Sequence, residues 1–491
     1  MRILLLSLLV ALDVRAGAFQ GGTQSARQIR LRHGADVENA PVVRTISGQV
    51  CSALDHVPLE GVKVVVKGSR RYSGSWIDGA YYMPVKEGDS VLEFSKDGYE
   101  PQIVRLGGLN EYNIVLREAA PAAPGFSALG EWRGVFEPRA GLEVPFNFEI
   151  RKTAKGVRIF FLNAEEKFDG GQVRQSDDSL WVSLESFENE LAFAIRDNAR
   201  IEGVLRRQDG KGNPIPVHAE TGKSYRFKES GVAPSGNISG TYDIVFNGQE
   251  KAVGVFQQDG NKLRATFLRI TGDSRYLQGI VEGDHFYLSS FIGSGPSFYQ
   301  GSFDGKGNLT GTIEGARGSQ PFTGASNPSA ALPDPYKLTY LKEGYHSLDF
   351  SFPDAEGKLV SPKDEKYRGK VLVITIGGTW CPNCIDEIGF LAPWYKANKS
   401  RGVEIIAIQY ERQSDPAFVK RALTQQRDRF GIEYDQVFGG LADKQGVATI
   451  IIDKKGQVAE IHTGYNGPAT GQYYDRQVRE FNATIDRLLK S

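Results

Sequence analysis

The chain has 491 residues, too many for one hydrophobic core, and its length predicts about three domains. Its 59 basic and 59 acidic residues give a formal net charge of zero, so charge favours neither nucleic acid nor an anionic membrane surface as a partner. A tetrahedral zinc site needs four ligands, but the chain has only three cysteines, and its six histidines are scattered rather than paired, which argues against such a site.

The first residues have the pattern of an export signal. Met1-Arg2, an apolar run over 3–12 and the small residues Ala16-Gly17-Ala18 predict a secretory signal peptide over 1–18. The apolar run is too short to span a bilayer. Residues 19–40 are polar and poor in hydrophobic residues, which predicts a flexible leader. We therefore expect a soluble, exported protein.

Short β-type runs follow over 41–118, separated by turn signals such as Asp78-Gly79. This spacing predicts an all-β sandwich of the transthyretin or immunoglobulin type. Segments 58–68, 78–81 and 94–99 resemble the carboxypeptidase regulatory-like domain, a module that is non-catalytic in its own family. Cys51 falls on the first predicted strand, and we expect it to be buried and unreactive.

A proline- and alanine-rich linker over 119–128 leads into a second β-rich region, 129–330. Strand patterns with glycine turns follow one another there, and no long helical periodicity interrupts them. Two similar segments, Gly130-Glu-Trp-Arg-Gly134 and Gly240-Thr-Tyr-Asp243, open its two halves. We predict an all-β, barrel-like domain that is closed or nearly closed.

Some residues of this region allow two interpretations. Asp273 with Arg275, and His218 with Glu220, could line a pocket, but turn caps and surface ion pairs are more common, and we favour that assignment. The aromatic residues between 286 and 299 alternate with small ones, which indicates barrel core rather than a ligand platform.

The segment Trp380-Cys381-Pro382-Asn383-Cys384 carries the clearest chemical signal. The apolar, β-branched run 371–376 predicts a central buried strand, Gly377-Gly378 allows a sharp turn, and helical periodicity follows Cys384. Cys381 is thus expected at a helix N-terminus, where free N–H groups and the helix dipole favour the thiolate. The pattern predicts a redox-active dithiol in which Cys381 attacks and Cys384 resolves. A purely structural disulfide would constrain so short a loop little.

Segments 350–358, 369–376, 378–387 and 450–458 resemble the TlpA/ResA-type branch of the thioredoxin superfamily. The resemblance covers about 335–491, including a final amphipathic pattern that predicts a helix packed on the sheet. It implies an α/β thioredoxin fold that acts as a thiol:disulfide oxidoreductase in the bacterial envelope or periplasm. The resemblance favours reduction of substrate disulfides over their formation. The region 129–330 resembles the uncharacterised β-rich segment of long TlpA-type proteins.

The same resemblance implies the chemistry around the dithiol. No cofactor is expected beyond the redox-active disulfide Cys381–Cys384, and the implied partners are disulfide-bearing envelope proteins and a membrane thiol reductase as electron donor. Glu387 holds the position of a glutamate that helps to move the proton in this family; the alternative is an exposed helix-face acid. Trp380, Pro382 and Val447 are expected to support the site.

One position departs from the family pattern. Related proteins carry a cis-proline opposite the dithiol, six residues before the aspartate matched by Asp453, and Val447 stands there in this chain. A cis bond before valine costs about 2.5–4 kcal/mol, so we expect a trans bond and a differently shaped loop. The connection 439–446 also looks shorter than usual.

Two other functions stay open on the sequence alone. Thiol peroxidases hold a threonine or serine three residues before the reactive cysteine, whereas Gly378 and Cys381 occupy the corresponding positions before Cys381 and Cys384. A thioredoxin-like domain that has become a scaffold for protein interactions is the second alternative, and the missing proline is the observation in its favour.

Overall fold

The computed structural model describes residues 42–118 and 126–491, apart from 70, 97, 177, 317 and 443–446. The predicted signal peptide, the predicted leader and positions 119–125 of the predicted linker lie outside the described residues. The described chain forms two compact units, one ending before Phe126 and one running from Phe126 to Ser491. None of the described helices is long and apolar enough to cross a membrane.

The first unit is a β-sandwich, which confirms the predicted fold class. A sheet in the order β4-β1-β7 packs its alternate apolar side chains against a sheet in the order β3-β2-β5-β6, around one common core. Cys51 lies on β1 but is only half-buried, because Val50 and Ser52 take the buried positions, so the expectation of a buried thiol was wrong. The strands are β1 (Val42–Ser52), β2 (Lys63–Val66), β3 (Tyr72–Gly74), β4 (Ala80–Lys86), β5 (Val91–Ser95), β6 (Gln102–Arg105) and β7 (Ile114–Leu116).

The second unit begins with a closed eight-stranded antiparallel barrel. Its interior is filled by alternate side chains of each strand, so the barrel is a packed core rather than a channel. Large buried aromatic residues dominate this core: Trp132, Phe136, Phe146, Phe148 and Phe161. The strands are β8 (Gly130–Arg139), β9 (Leu142–Thr153), β10 (Gly156–Asn163), β11 (Glu166–Gln175), β12 (Ser179–Leu184), β13 (Asn189–Ile195), β14 (Arg200–Arg207) and β15 (Ile215–Thr221).

A second antiparallel sheet of nine strands follows, and its β17 also pairs with β18, so that eight strands close into another ring. The predicted barrel-like region is therefore confirmed, but it holds two barrels, and the similar segments at Gly130 and Gly240 mark their first strands. Phe291 and Phe298 are core residues as predicted, although they pack into the first barrel. The strands are β16 (Gly240–Phe246), β17 (Glu250–Asp259), β18 (Lys262–Arg269), β19 (Gly272–Asp273), β20 (Leu277–Glu282), β21 (His285–Ser290), β22 (Ser297–Phe303), β23 (Asn308–Gly315) and β24 (Gly318–Ser326).

The C-terminal part has the predicted α/β thioredoxin fold. Its five-stranded sheet has the order β29-β28-β27-β30-β31, with β27 parallel to β28 and antiparallel to β30. The predicted apolar strand is the central one, and the last helix packs its buried face on the sheet. The elements are β25 (Phe352–Pro353), β26 (Leu359–Val360), β27 (Val371–Gly377), α1 (Pro382–Asn398), β28 (Val403–Glu411), α2 (Pro416–Phe430), β29 (Asp435–Leu441), β30 (Ala448–Ile452), β31 (Val458–Thr463) and α3 (Gln472–Lys490), with single 3-10 turns at Pro335–Lys337, Glu365–Tyr367, Lys399–Arg401 and Pro468–Thr470.

The barrels and the thioredoxin-like part share apolar contacts within the second unit. Ile385 of α1 belongs to the core of the first barrel. Tyr473 of α3 packs with Val253 and Leu268 of the second barrel, and its hydroxyl donates to the Ala330 carbonyl at 2.7 Å. These contacts place the first barrel against α1, which begins at the cysteines, and the second barrel against α3.

Candidate active site

The two cysteines lie where the central strand gives way to α1. Cys381 is the N-cap of α1, and the Cys384 N–H donates to its Sγ at 3.3 Å. The two are joined in a disulfide with a Cα–Cα distance of 5.2 Å. Cys384 is buried, whereas Cys381 is half-buried. A Cβ at Gly377 would stand 2.8 Å from the Cys384 Sγ, so this turn needs glycine. The arrangement suits attack by Cys381 and resolution by Cys384.

Trp380, the residue before Cys381, is held by two contacts of its indole ring. Its indole Nε1 donates to the Tyr410 carbonyl at 3.0 Å, and the Arg412 guanidinium lies 4.6 Å from the centre of its ring system. Pro382 is the first residue of α1, a position where the missing N–H costs nothing. Two of the three predicted supporting residues therefore directly flank Cys381.

A buried carboxylate that the sequence did not reveal holds the start of the turn. Glu411, at the end of β28, accepts from the Thr379 N–H at 3.0 Å and from the Thr379 hydroxyl at 2.8 Å. Burial raises the pKa of Glu411 to about 7, against these two hydrogen bonds. No local pattern marks Glu411, because only the pairing of β27 with β28 brings it to the dithiol.

Glu387 lies on α1, three residues after Cys384, and its side chain is buried. It accepts a hydrogen bond from the Thr449 hydroxyl of β30, and Thr449 pairs in register with Thr375 of the central strand. Burial raises the pKa of Glu387 to about 7, while the bond from Thr449 lowers it. The alternative of an exposed helix-face acid was therefore wrong; a part for Glu387 in proton transfer stays a prediction.

We expect Glu387→Gln to change how stability depends on pH. The folded-state pKa near 7 lies above the ordinary 4.5, so the wild-type protein loses stability as pH rises between these values. At about 1.4 kcal/mol per pKa unit the wild type loses roughly 3 kcal/mol of stability by pH 8. The glutamine variant does not show this loss, because its side chain does not ionise. Urea unfolding at pH 5 and pH 8 measures the difference.

The control for this experiment is Glu433→Gln. Glu433 is exposed and ion-paired with Lys399, and its pKa is lowered chiefly by the hydrogen bond from that lysine, so it stays ionised from pH 5 to pH 8. Its replacement should leave the pH dependence unchanged over this range. If Glu387→Gln and wild type lose the same stability between pH 5 and pH 8, Glu387 is ionised in the folded protein throughout.

Val447 lies just before β30, next to the strand that leads to the dithiol. Its carbonyl accepts from the Gly464 N–H at 2.8 Å, and the following Ala448 pairs with Ile376. No described peptide bond is cis. The bond before Val447 involves residue 446, which lies outside the described residues, so the trans bond stays a prediction.

Residues of the second barrel also contact the turn between the two cysteines. Asp273 caps its local turn as favoured, accepting from the Arg275 N–H at 2.6 Å, but the expected surface position of this pair was wrong. Arg275 is buried, and its Nη1 donates to the Pro382 carbonyl at 2.8 Å. The Asn383 amide donates to the Asp273 carbonyl at 3.1 Å. His218, the other candidate, is exposed on β15. The sequence singled out Asp273 and Arg275, but not their burial, which depends on partners more than 100 residues away.

A polar cleft of about 550 Å³ lies between the first barrel and α2, with Thr379 in its wall. Thr379 stands two residues before Cys381, so one wall of the cleft adjoins the turn that leads to the dithiol. Charged side chains of both signs line it: Glu185, Glu188, Asp209, Asp415, Arg421 and Arg429. Across the described ranges, no group of three or more His, Cys, Asp or Glu side chains is arranged to hold a metal ion.

Comparisons with known proteins concern the C-terminal part. Residues 342–477 match the Redoxin family. The thiol-disulfide oxidoreductase ResA of Halalkalibacterium halodurans is 30% identical over 132 residues, which cover 25% of this chain and 69% of that protein. ResA of Geobacillus kaustophilus is 31% identical over 133 residues, covering 26% of this chain and 72% of that protein.

A solved thiol-disulfide oxidoreductase from Bacteroides fragilis covers 27% of this chain and 99% of its own length. Its sequence identity is 19% and its TM-score 0.22. The matched segment in the Redoxin comparison contains α1 and both cysteines, and it ends before the last turns of α3. The two barrels lie outside that segment.

Proposed function

Since this chain belongs to the ResA family of thiol-disulfide oxidoreductases, we propose that it exchanges disulfides through Cys381 and Cys384. The observation that carries the proposal is the difference between the two sulfurs. Cys381 caps α1 and is half-buried, whereas Cys384 is buried behind it. A substrate sulfur therefore meets Cys381 first, and the helix N-terminus stabilises the thiolate needed for attack.

The exchange proceeds in two displacements. The Cys381 thiolate attacks one sulfur of the substrate disulfide, forming a mixed disulfide and releasing the other substrate sulfur as a thiolate, which takes a proton. Cys384 then loses its proton and attacks the Cys381 Sγ, which breaks the mixed disulfide. The substrate leaves with two thiols, and the protein keeps the disulfide seen here. Glu387, with its raised pKa, accepts the Cys384 proton.

We assign the protein a reducing role outside the cytoplasm, with disulfide-bearing envelope proteins as substrates. The signal-like N-terminal sequence and the TlpA/ResA resemblance support this assignment. Each turnover consumes two electrons, so a dithiol donor must reduce Cys381–Cys384 again, and a membrane thiol reductase is the donor class that we propose. No other cofactor is needed, because the dithiol holds both electrons.

The test is turnover of a peptide with a single disulfide by the purified chain, with a small dithiol as reductant. We expect multiple turnovers above the rate of the dithiol alone, and no accelerated consumption of a hydroperoxide. Hydroperoxide consumption without disulfide turnover would identify a thiol peroxidase. The absence of both activities would support an interaction protein.

A further inference from the structure

One loop of the second barrel is built into the dithiol turn. The connection from β18 to β20 contains β19 (Gly272–Asp273) and continues through Arg275. The Arg275 side chain donates to the Pro382 carbonyl, and the Asn383 amide donates to both the carbonyl and the carboxylate of Asp273. The loop therefore contacts the dithiol turn directly, in addition to holding its own ion pairs.

Arg275 joins the turn to the first barrel through the two ends of its guanidinium group. Nη1 donates to the Pro382 carbonyl at 2.8 Å and pairs with the Asp386 carboxylate at 2.6 Å. Nη2 pairs with Glu166 of the first barrel at 2.5 Å. The Arg275 side chain is 8% exposed. One buried cation thus joins the first barrel, the second barrel and the first turn of α1.

Asp273 holds the other side of the turn. Its Oδ2 accepts from the Gly467 N–H at 2.6 Å and from the Asn383 amide at 3.3 Å. Its carbonyl accepts from the same amide at 3.1 Å. A Cβ at Gly272 would stand 2.4 Å from the Asn383 side chain, so the approach requires glycine. The turn is fixed between this loop and the chain that leads into α3.

The charges of this cluster are unequal. Three carboxyl groups, those of Glu166, Asp273 and Asp386, surround the guanidinium of Arg275, and a second guanidinium, that of Arg429, lies over the same Phe168 ring as Arg275. Burial raises the pKa of Asp386 to about 7 and also raises that of Asp273. Without Arg275, the carboxyl groups beside the helix N-terminus would oppose the negative charge of a Cys381 thiolate.

We propose that Arg275 and Asp273 are positioning residues through which the barrels set the redox potential of the dithiol. The inference rests on the proposed disulfide exchange. Arg275 holds the turn in the conformation that presents helix N–H groups to the Cys381 thiolate, and its charge offsets the neighbouring carboxylates. The reduced form is therefore more stable than it would be in a thioredoxin-like domain alone.

Two charge changes of opposite sign test the proposal in the full chain. For each variant the Cys381–Cys384 pair is equilibrated with reduced and oxidised glutathione, and the fraction of disulfide is measured. Arg275→Gln should shift the equilibrium about tenfold towards the disulfide, which is about 30 mV for this two-electron couple. Glu166→Gln, which removes an acidic partner, should shift it roughly threefold the other way.

A second readout is the alkylation rate of reduced Cys381 against pH. The midpoint of this rate profile should move to higher pH in Arg275→Gln and to lower pH in Glu166→Gln. Arg269→Gln is the matched control, because Arg269 pairs with Glu250 on the second barrel and has no described contact with the dithiol turn. Its potential and alkylation profile should equal those of the wild type.

The outcomes separate this proposal from the proposed function. A wild-type dithiol that does not equilibrate with glutathione would count against disulfide exchange itself. A normal wild-type potential with unchanged values in folded Arg275→Gln and Glu166→Gln would leave the loop a packing contact only and overturn the inference. If Arg275→Gln fails to fold, the sign of the Glu166→Gln shift decides, because loosened packing would not stabilise the thiolate.

Discussion

Replacing Cys381 with serine should abolish disulfide exchange, with a loss of rate of about a thousandfold or more. The reason is that a serine hydroxyl is not ionised near neutral pH, even at a helix N-terminus, whereas the capping Cys381 sulfur can be. Turnover of the disulfide peptide measures the loss. Cys51→Ser is the control, since Cys51 lies in the separate β-sandwich unit, and it should keep full activity.

Cys384→Ser should fail in a different way. Its Cys381 can still attack, but the resolving sulfur is missing, so a mixed disulfide with the substrate accumulates. Mass spectrometry without reductant should detect the adduct on Cys381. Equal trapping by Cys381→Ser and Cys384→Ser would show that the attacking and resolving roles are assigned wrongly.

The second large effect concerns Gly464, which follows β31. Its φ is +76°, and a Cβ there would stand 2.1 Å from the backbone carbonyl oxygen of Ile270 in the second barrel. Gly464→Ala must push two backbone segments apart as well as adopt a left-handed conformation. We expect it to lower the free energy of unfolding by about 3 kcal/mol or more.

Gly456→Ala separates these two costs. Gly456 has nearly the same φ, +80°, but no atom lies within 4 Å of a Cβ placed on it. It should lose only about 1–2 kcal/mol, the cost of the left-handed conformation. Urea unfolding of both variants gives the comparison. Equal losses would mean that the contact between Gly464 and Ile270 adds nothing to stability.

The dithiol and its supporting elements could be predicted because their signals are local. The apolar run before Gly377, the glycine pair and the helical periodicity after Cys384 all act within a few residues of one another. These features produced the central strand and the cap at Cys381 as expected. The last helix was equally clear, since its apolar stripe of Phe481, Ile485 and Leu488 follows from spacing alone.

The barrels show the limit of this reasoning. Alternation of apolar residues predicts strands and a barrel-like wall, but closure depends on which strands pair, and β8 pairs with β15 from the far end of its barrel. The similar segments that begin at Gly130 and Gly240 are the one signal of repetition, and on the sequence alone they predict two halves of one barrel. Two rings instead of one follow from non-local pairing.

The polar residues around the dithiol were harder to predict for the same reason. The sequence singles out Asp273 and Arg275, and a surface ion pair is the more common outcome for such a pair. Their contacts with Pro382 and Asn383 join residues more than 100 positions apart, which no local pattern indicates. Thr449 and Glu411 carried no signal at all. Their functional positions arise from strand register, which joins residues distant in the sequence.

The shared apolar contacts of Ile385 and Tyr473 bear on what the C-terminal part would expose without the barrels. A gene fragment beginning near residue 335 would encode both side chains without the barrel residues that cover them. Exposed in that way, both side chains would lose the burial that stabilises them here. The C-terminal segment of this chain therefore relies on the two barrels to cover part of its own apolar surface.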